Sequence, residues 1–508
     1  MNDELVMVFD CGSTNLRVVA VSPTGELVGQ ASRPNRAVPQ PKGKLGWMVW
    51  DLKEIWSKLA QAAREVSAAV GSERIKAVTV TTWGADGAPV RRDGTLTYPP
   101  ISWQCPRTKR VTDEIVHRMS SWEIFKVTGY QVIPFNTILK MIWLRKNMPE
   151  TLDEAYTWLM MPGLLTYRFT GKFHIEPTSA STMMAMDLGK RGWSTTMLEL
   201  AGLEPSFLPE WSEPGQVVGY VTPQASVDCG LRTGIPVTAG GHDTQFALVG
   251  SGAGNKEAIL SSGTWEILEL RVDTFQPNRF GFEEGLLIEA DVQPGLWNPQ
   301  LFWIGSAVLE WIREKLFTDL DRGYAAMIKE AQRVPAGAEN VMLIPSFVRE
   351  SGPTRKFGAY GTLLGLTLQT SRGNIYRAAL EGLSFQLRAA LEILTKATGF
   401  QVEGIRVVGG GSRNDLWNQI RADVTGLPIT VTAQREATVL GAALTAFTGI
   451  GRYRSLDEAH SAVKFNEQCF KPSSNCSRYE ELFKRYVKVP AALQEFYASQ
   501  GPEKPHTQ

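Results

Sequence analysis

A short apolar run, Leu5-Val-Met-Val-Phe9, ends in Asp10-Cys-Gly12-Ser13-Thr14-Asn-Leu-Arg17. A buried strand that stops at a carboxylate and turns through a glycine and two hydroxyls is suited to hold a metal-bound phosphate. Gly12 lets the backbone pass close to an anion, and Ser13 and Thr14 offer hydroxyl and N–H donors. Asp10 can hold Mg²⁺ through water, and Arg17 can neutralise charge on a phosphoryl group. One strand–glycine–hydroxyl turn is a common hairpin connection and carries little weight. Related pieces recur at Ser261-Ser-Gly263-Thr264 and Val407-Val-Gly409-Gly-Gly411, and that recurrence constrains the fold.

The elements around these turns read as mixed α/β. Leu5–Asp10, Arg17–Val21 and Glu26–Ala31 are expected as three short strands, followed by an amphipathic helix from Asp51 to about Val70. Asp51 is its expected N-cap and Glu54 stands at the capping-box position. Ile75-Lys-Ala-Val-Thr-Val-Thr-Thr82 follows as a buried strand. A similar order is expected after residue 235: Ile235–Ala239 running into a Gly-Gly turn, then Ala258–Ser261, Glu266–Leu270 and Gly285–Glu289 as strands, with Ala307–Leu316 as helix. Ile405–Val408 and Leu416–Val424 read as strand and helix about a glycine loop. This order suggests a structural duplication.

At 508 residues the chain exceeds one ordinary core, so two large domains are expected, divided near residue 250. The expected units are 1–249, 250–470, and a helical extension and tail at 471–508, frayed over Gln500–Gln508. With 43% apolar and 21% charged residues and a net charge of +1, the composition is that of a soluble globular protein. It gives no nucleic-acid or anionic-membrane footprint. The five cysteines form no C-x-x-C pair, and the acidic start Met1-Asn-Asp-Glu-Leu5 lacks the basic region of a leader. A reducing cytoplasm is the expected location. Homo-oligomer formation is left open.

Two longer patterns narrow the reading. Phe135-x-Thr137-x-x-Lys140-Met-x-Trp143-Leu144-x-Lys146-Asn147 is the first. Gly361-x-Leu363-x-Gly365-Leu366, followed by Asn374-Ile375-x-x-Ala378-Ala379-Leu380-Glu381, is the second. Together they resemble the signatures of the FGGY carbohydrate kinase family, over about Leu5 to Phe470. The resemblance implies two ribonuclease H-like domains of the actin/hexokinase ATPase type flanking a deep cleft where ATP and sugar meet. It implies that Asp10, Ser13 and Thr14 face the terminal phosphates and Mg²⁺, and that Gly263 and Thr264 close on the phosphates from the second domain. Gly410, Gly411 and Asn414 would approach the nucleotide.

In Gly241-His242-Asp243-Thr244-Gln245 the resemblance makes Asp243 the catalytic base for a sugar hydroxyl. Read from the residues alone, Asp243 could also cap a helix over Thr244–Leu248. Trp83, Asp86, Trp103, Gln104 and Arg107, with Asp243 and Gln245, are the expected sugar-binding set. Tryptophan faces suit the apolar side of a sugar, while Asp, Gln and Arg read hydroxyl direction. These segments resemble the L-fuculose-directed branch of the family, implying phosphorylation of a ketose at C1. Alternatives are L-rhamnulose or a pentulose (D-ribulose, L-ribulose, D-xylulose). A reading from another class is an actin-like nucleotide-binding regulator without sugar transfer.

Overall fold

The computed structural model describes residues 4–319, 323–432 and 436–499; the expected frayed tail Gln500–Gln508 lies outside them. The first sheet contains β1 (Leu5–Cys11), β2 (Asn15–Val21), β3 (Leu27–Pro34), β4 (Ile75–Thr82), β5 (Val217–Tyr220) and β6 (Pro236–His242). Across the sheet the order is β3-β2-β1-β4-β6-β5. β1 to β3 form an antiparallel meander, while β4 and β6 run parallel to β1. β1 is buried along its whole length, as expected for a parallel strand covered on both faces.

The second sheet repeats that plan. It contains β7 (Glu257–Ser262), β8 (Trp265–Glu269), β9 (Leu287–Ala290), β10 (Trp297–Ile304), β11 (Gly404–Val408), β12 (Ile429–Thr432) and β13 (Glu467–Phe470). Its order is β9-β10-β8-β7-β11-β12-β13. β7, β8 and β10 form an antiparallel meander, and β11 and β12 run parallel to β7. Each sheet thus has a meander, two strands parallel to its first strand, and an antiparallel edge strand. The turn after β1 and the turn after β7 occupy equivalent places.

The helices begin where the side chains dictate. In α1 (Leu52–Val70) the Asp51 carboxylate accepts from Lys53 N and Glu54 N, closing two of the free N–H groups of the first turn. α2 (Thr137–Asn147) is the first signature segment, and α3 (Asp243–Gly250) follows β6 directly. α4 (Arg372–Thr398) carries the second signature and is closed by a Ser371–Asn374 capping box. α5 (Asp415–Thr425) and α6 (Ala437–Gly449) complete the set that frames the site.

Two features depart from expectation. Gly240 and Gly241 do not form a turn: β6 continues to His242 through a bulge. A Cβ on Gly240 would lie 1.8 Å from Val80 O, so the bulge can form only with glycine there. α6, from late in the chain, packs back on the first sheet. Val439, Leu440 and Ala443 share a core with Val6, Val8, Val19 and Phe246.

Candidate active site

The parallel strands place the chemistry at their C-terminal ends, where open α/β sheets bind ligands. Asp10 on β1 pairs in register with Thr81 on β4, and Thr81 with Gly241 on β6. Arg17 Nε donates to Asp10 Oδ2 at 3.0 Å, and Thr81 Oγ1 to Asp10 Oδ1 at 3.3 Å. Arg17 also pairs with Glu436. Burial lifts the Asp10 carboxyl above its ordinary value despite the opposing pull of Arg17. Cys11, beside it, is buried and its thiol is pushed well up, first by desolvation; it is an inert packing residue.

Asp243 is the first residue of α3, with His242 rather than Asp243 at the N-cap position. Its Oδ1 accepts from Thr244 N at 2.8 Å and lies 3.5 Å from His242 Nε2. Burial raises its pKa to about 6, His242 opposing and Asp10 assisting. A carboxyl so placed is ionised at neutral pH yet more basic than an exposed aspartate.

Asp243 opens onto a cavity of about 410 Å³ that both halves of the chain line. Ser13, Trp83, Trp103 and Phe135 come from the first half; Trp265, Ile267, Leu287, Glu289 and Phe302 come from the second. The expected residues Trp83 and Trp103 are in this wall, with Asp243. Asp86, Gln104, Arg107 and Gln245 are not among the lining residues.

Asp86 is fully buried behind the wall. Its Oδ2 accepts from Trp50 Nε1 (2.6 Å), Trp83 Nε1 (2.9 Å) and Trp103 N (3.1 Å), and its Oδ1 pairs with Lys140. With its acceptors occupied, it holds the indoles of Trp50 and Trp83 and the backbone of Trp103 and has no oxygen facing a sugar. Arg107 is likewise buried, donating to Tyr98 Oη at 2.9 Å and Gln40 Oε1 at 2.6 Å, its guanidinium 4.3 Å from the Trp47 ring centre. Gln104 is solvent-exposed. Gln245 is buried and donates to Glu289 Oε2 at 2.7 Å.

The wall between Trp83 and Asp86 is held under strain. Ala85 has φ 67°, a left-handed conformation costly for alanine. Its N–H donates to Thr182 Oγ1 at 2.8 Å, and its carbonyl accepts from Thr137 Oγ1 (2.8 Å) and Lys140 Nζ (2.9 Å). The signature helix α2 therefore acts by fixing the 83–86 wall.

Two of the glycine turns come from equivalent places in the two sheets, and the third follows β11. Gly12 N donates to Asn15 O and Gly263 N to Trp265 O, both at 2.9 Å, leaving Thr14 and Thr264 exposed at the hairpin tips. Gly409 has φ 86°, and a Cβ there would lie 2.7 Å from Ser262 O. The turn over Gly410 and Gly411 therefore sits against the end of β7. Gly410 is exposed with open space around it. Asn414 is the N-cap of α5, accepting from Trp417 N at 3.1 Å. Its side chain thus serves the helix rather than an open surface.

Sequence reading missed Trp265, Ile267, Leu287, Glu289 and Phe302. Trp265 and Ile267 on β8 and Phe302 on β10 lie in the second meander, with Leu287 and Glu289 on β9 beside it, and the apolar residues there read simply as core. The equivalence of that meander with the first was the available signal.

Two similar domains with paired phosphate-type turns, facing a shared cavity with a carboxylate at its edge, define a cleft kinase. Residues 5–250 match the N-terminal domain of the FGGY family of carbohydrate kinases, and residues 258–450 its C-terminal domain. The chain belongs to that family and is a carbohydrate phosphotransferase. It is 38% identical over 482 residues to an L-fuculokinase of Escherichia coli, covering 95% of this chain and 100% of that one. It is 28% identical over 516 residues to an autoinducer-2 kinase of Salmonella typhimurium, covering 95% and 93%. The fold matches the crystal structure of a xylulose kinase from Rhodospirillum rubrum with a TM-score of 0.88 at 23% identity, covering 97% and 100%.

Proposed function

We propose that the protein transfers the γ-phosphoryl group of Mg·ATP to the C1 hydroxyl of a 6-deoxy-ketohexose, with L-fuculose as the foremost substrate. The observation that carries this reading is the cavity at Asp243, where Ile267, Leu287 and Phe302 offer an apolar surface beside the polar Gln300 and Glu289. A methyl at C6 suits those three apolar side chains better than a hydroxyl, which would lose water against them. The similarity to L-fuculokinase over nearly the whole chain supports the same substrate. The matching order of the two sheets supports a ribonuclease H-like ancestry for each domain.

Asp243 accepts the C1–OH proton as the sugar oxygen bonds to γ-phosphorus and the bond to the ADP oxygen breaks. Because such transition states are loose, the carboxylate orients the nucleophile more than it drives attack. The turns at Ser13–Thr14 and Gly263–Thr264 hold the phosphates with backbone and hydroxyl donors, and Gly410–Gly411 leaves room for the nucleoside. Asp10 suits a Mg²⁺ held through water: its Oδ1 has only the long Thr81 contact and keeps acceptor capacity. When bound, Mg²⁺ neutralises developing phosphate charge. Closure of the cleft excludes water and limits idle hydrolysis. Five free cysteines fit the cytoplasmic setting of this reading, and among the described residues no helix is long and apolar enough to cross a membrane.

The test is ADP release with Mg·ATP across L-fuculose, L-tagatose (its 6-hydroxy counterpart), L-rhamnulose, L-ribulose, D-ribulose and D-xylulose, with a no-sugar control. The reading expects the highest kcat/KM for L-fuculose. Preference for a 6-hydroxy ketose or a pentulose would discard the substrate assignment. Release equal with and without sugar would favour a nucleotide-driven regulator.

A further inference from the structure

Glu289 reaches the catalytic end of the first sheet from the second sheet. Its strand, β9, is docked there by the backbone, with Ile288 N donating to Gly129 O at 2.8 Å. The buried carboxylate collects three donors from the N-terminal half and α3. Tyr130 Oη donates to Oε1, and Gln245 Nε2 (2.7 Å) and His242 Nδ1 (3.0 Å) meet Oε2. With Nδ1 engaged, His242 Nε2 faces the cavity, 3.5 Å from Asp243 Oδ1 and 3.4 Å from Thr244 Oγ1. Gly84 makes room for the ring there: a Cβ at that position would lie 3.0 Å from Nε2.

Resting on the kinase reading above, we propose that Glu289 is a positioning residue. It holds His242 as an imidazolium whose Nε2–H points at the acceptor hydroxyl beside Asp243. His242 then fixes the sugar oxygen while Asp243 takes its proton, and its positive charge keeps Asp243 ionised.

The surrounding charges agree. His242 faces Glu289 on β9, Asp243 on α3, and Glu176, whose own oxygens are taken by Thr178 and Ser179. Burial alone would strip the imidazole of its second proton, but these three acids outweigh it and bring the pKa to about 9. Burial works against Glu289 too, yet His242, Tyr130 and Gln245 hold its carboxyl below the usual range. Behind it, Asp291 is occupied by Arg271 at 2.7 Å. Glu269 is pushed well up by burial and by the Glu289 and Asp291 charges.

The experiment is imidazole ¹⁵N NMR of the full chain labelled at its five histidines, with His242→Asn identifying the signal. In the wild type both ring nitrogens of His242 carry protons at neutral pH. In Glu289→Gln the ring titrates at about 6.5 or lower, and the acid limb of kcat/KM moves up by about one pH unit as Asp243 loses its cationic neighbour. Glu289→Asp, which keeps the charge, restores the protonated ring. A neutral His242 in the wild type overturns the proposal whether or not any variant folds, as does an unchanged titration in Glu289→Gln. The NMR result is independent of turnover, so a failed substrate assignment would leave it standing.

Discussion

Asp86 and Lys140, 54 positions apart, form an ion pair whose side chains are 0% and 1% exposed. Desolvation pulls the Lys140 pKa down against the pull of Asp86, so the pair is held at a cost. What it provides is placement, because Trp83 and Trp103 both hang from the same carboxylate. Lys140→Met should destabilise the fold by about 3–5 kcal/mol by leaving Asp86 buried without its cation. Urea unfolding would register the loss, and surviving protein should show a raised sugar KM. An unchanged midpoint would mean that the tryptophans do not depend on the pair.

The two helices at the base of the cleft touch backbone to backbone. A Cβ on Gly441 of α6 would lie 1.9 Å from Phe246 O, and one on Gly250 of α3 would lie 1.8 Å from Ala437 O. Gly441→Ala must push these helices apart, at a cost of about 1–3 kcal/mol. Since α3 begins at Asp243, kcat should fall along with the thermal midpoint. A lowered midpoint with intact kcat would separate the helix crossing from the site.

His174 is buried, and neither ring nitrogen has a hydrogen-bond partner. Burial alone lowers its pKa to about 4. The unfolded chain takes up this proton near pH 6.5, the folded chain only near 4, so folding stability falls as pH drops through that window. The loss should be about 2 kcal/mol at pH 5. Comparing urea unfolding at neutral pH and pH 5 for wild type and His174→Leu checks this. The variant should lose most of the slope, and an equal slope would place the acid sensitivity elsewhere.

Much of this was legible in the chain. The Leu5 strand, the Asp51 cap and the glycine turns follow from local patterns, and the repeat of strand order expected after residue 235 anticipates the second sheet. Its expected opening strand, Ile235–Ala239, falls instead in the first sheet, at β6. Local patterns do not report direction. Asp86 and Arg107 have the chemistry of hydroxyl readers, but the fold turns both into the protein, where Lys140, Tyr98 and Gln40 satisfy them. The bulge at Gly240 was unreadable because its cause is the Val80 carbonyl on a neighbouring strand. Glu289 was missed for the same reason: only the docking of β9 onto Gly129 brings it to His242.

The central claim is that Asp243 serves as the base for an acceptor bound in the shared cavity. Its most direct test is single-turnover phosphoryl transfer by Asp243→Asn, with ATP binding measured in parallel. The account predicts nucleotide affinity near that of the wild type and transfer reduced by orders of magnitude. Near-normal transfer in that variant would contradict it.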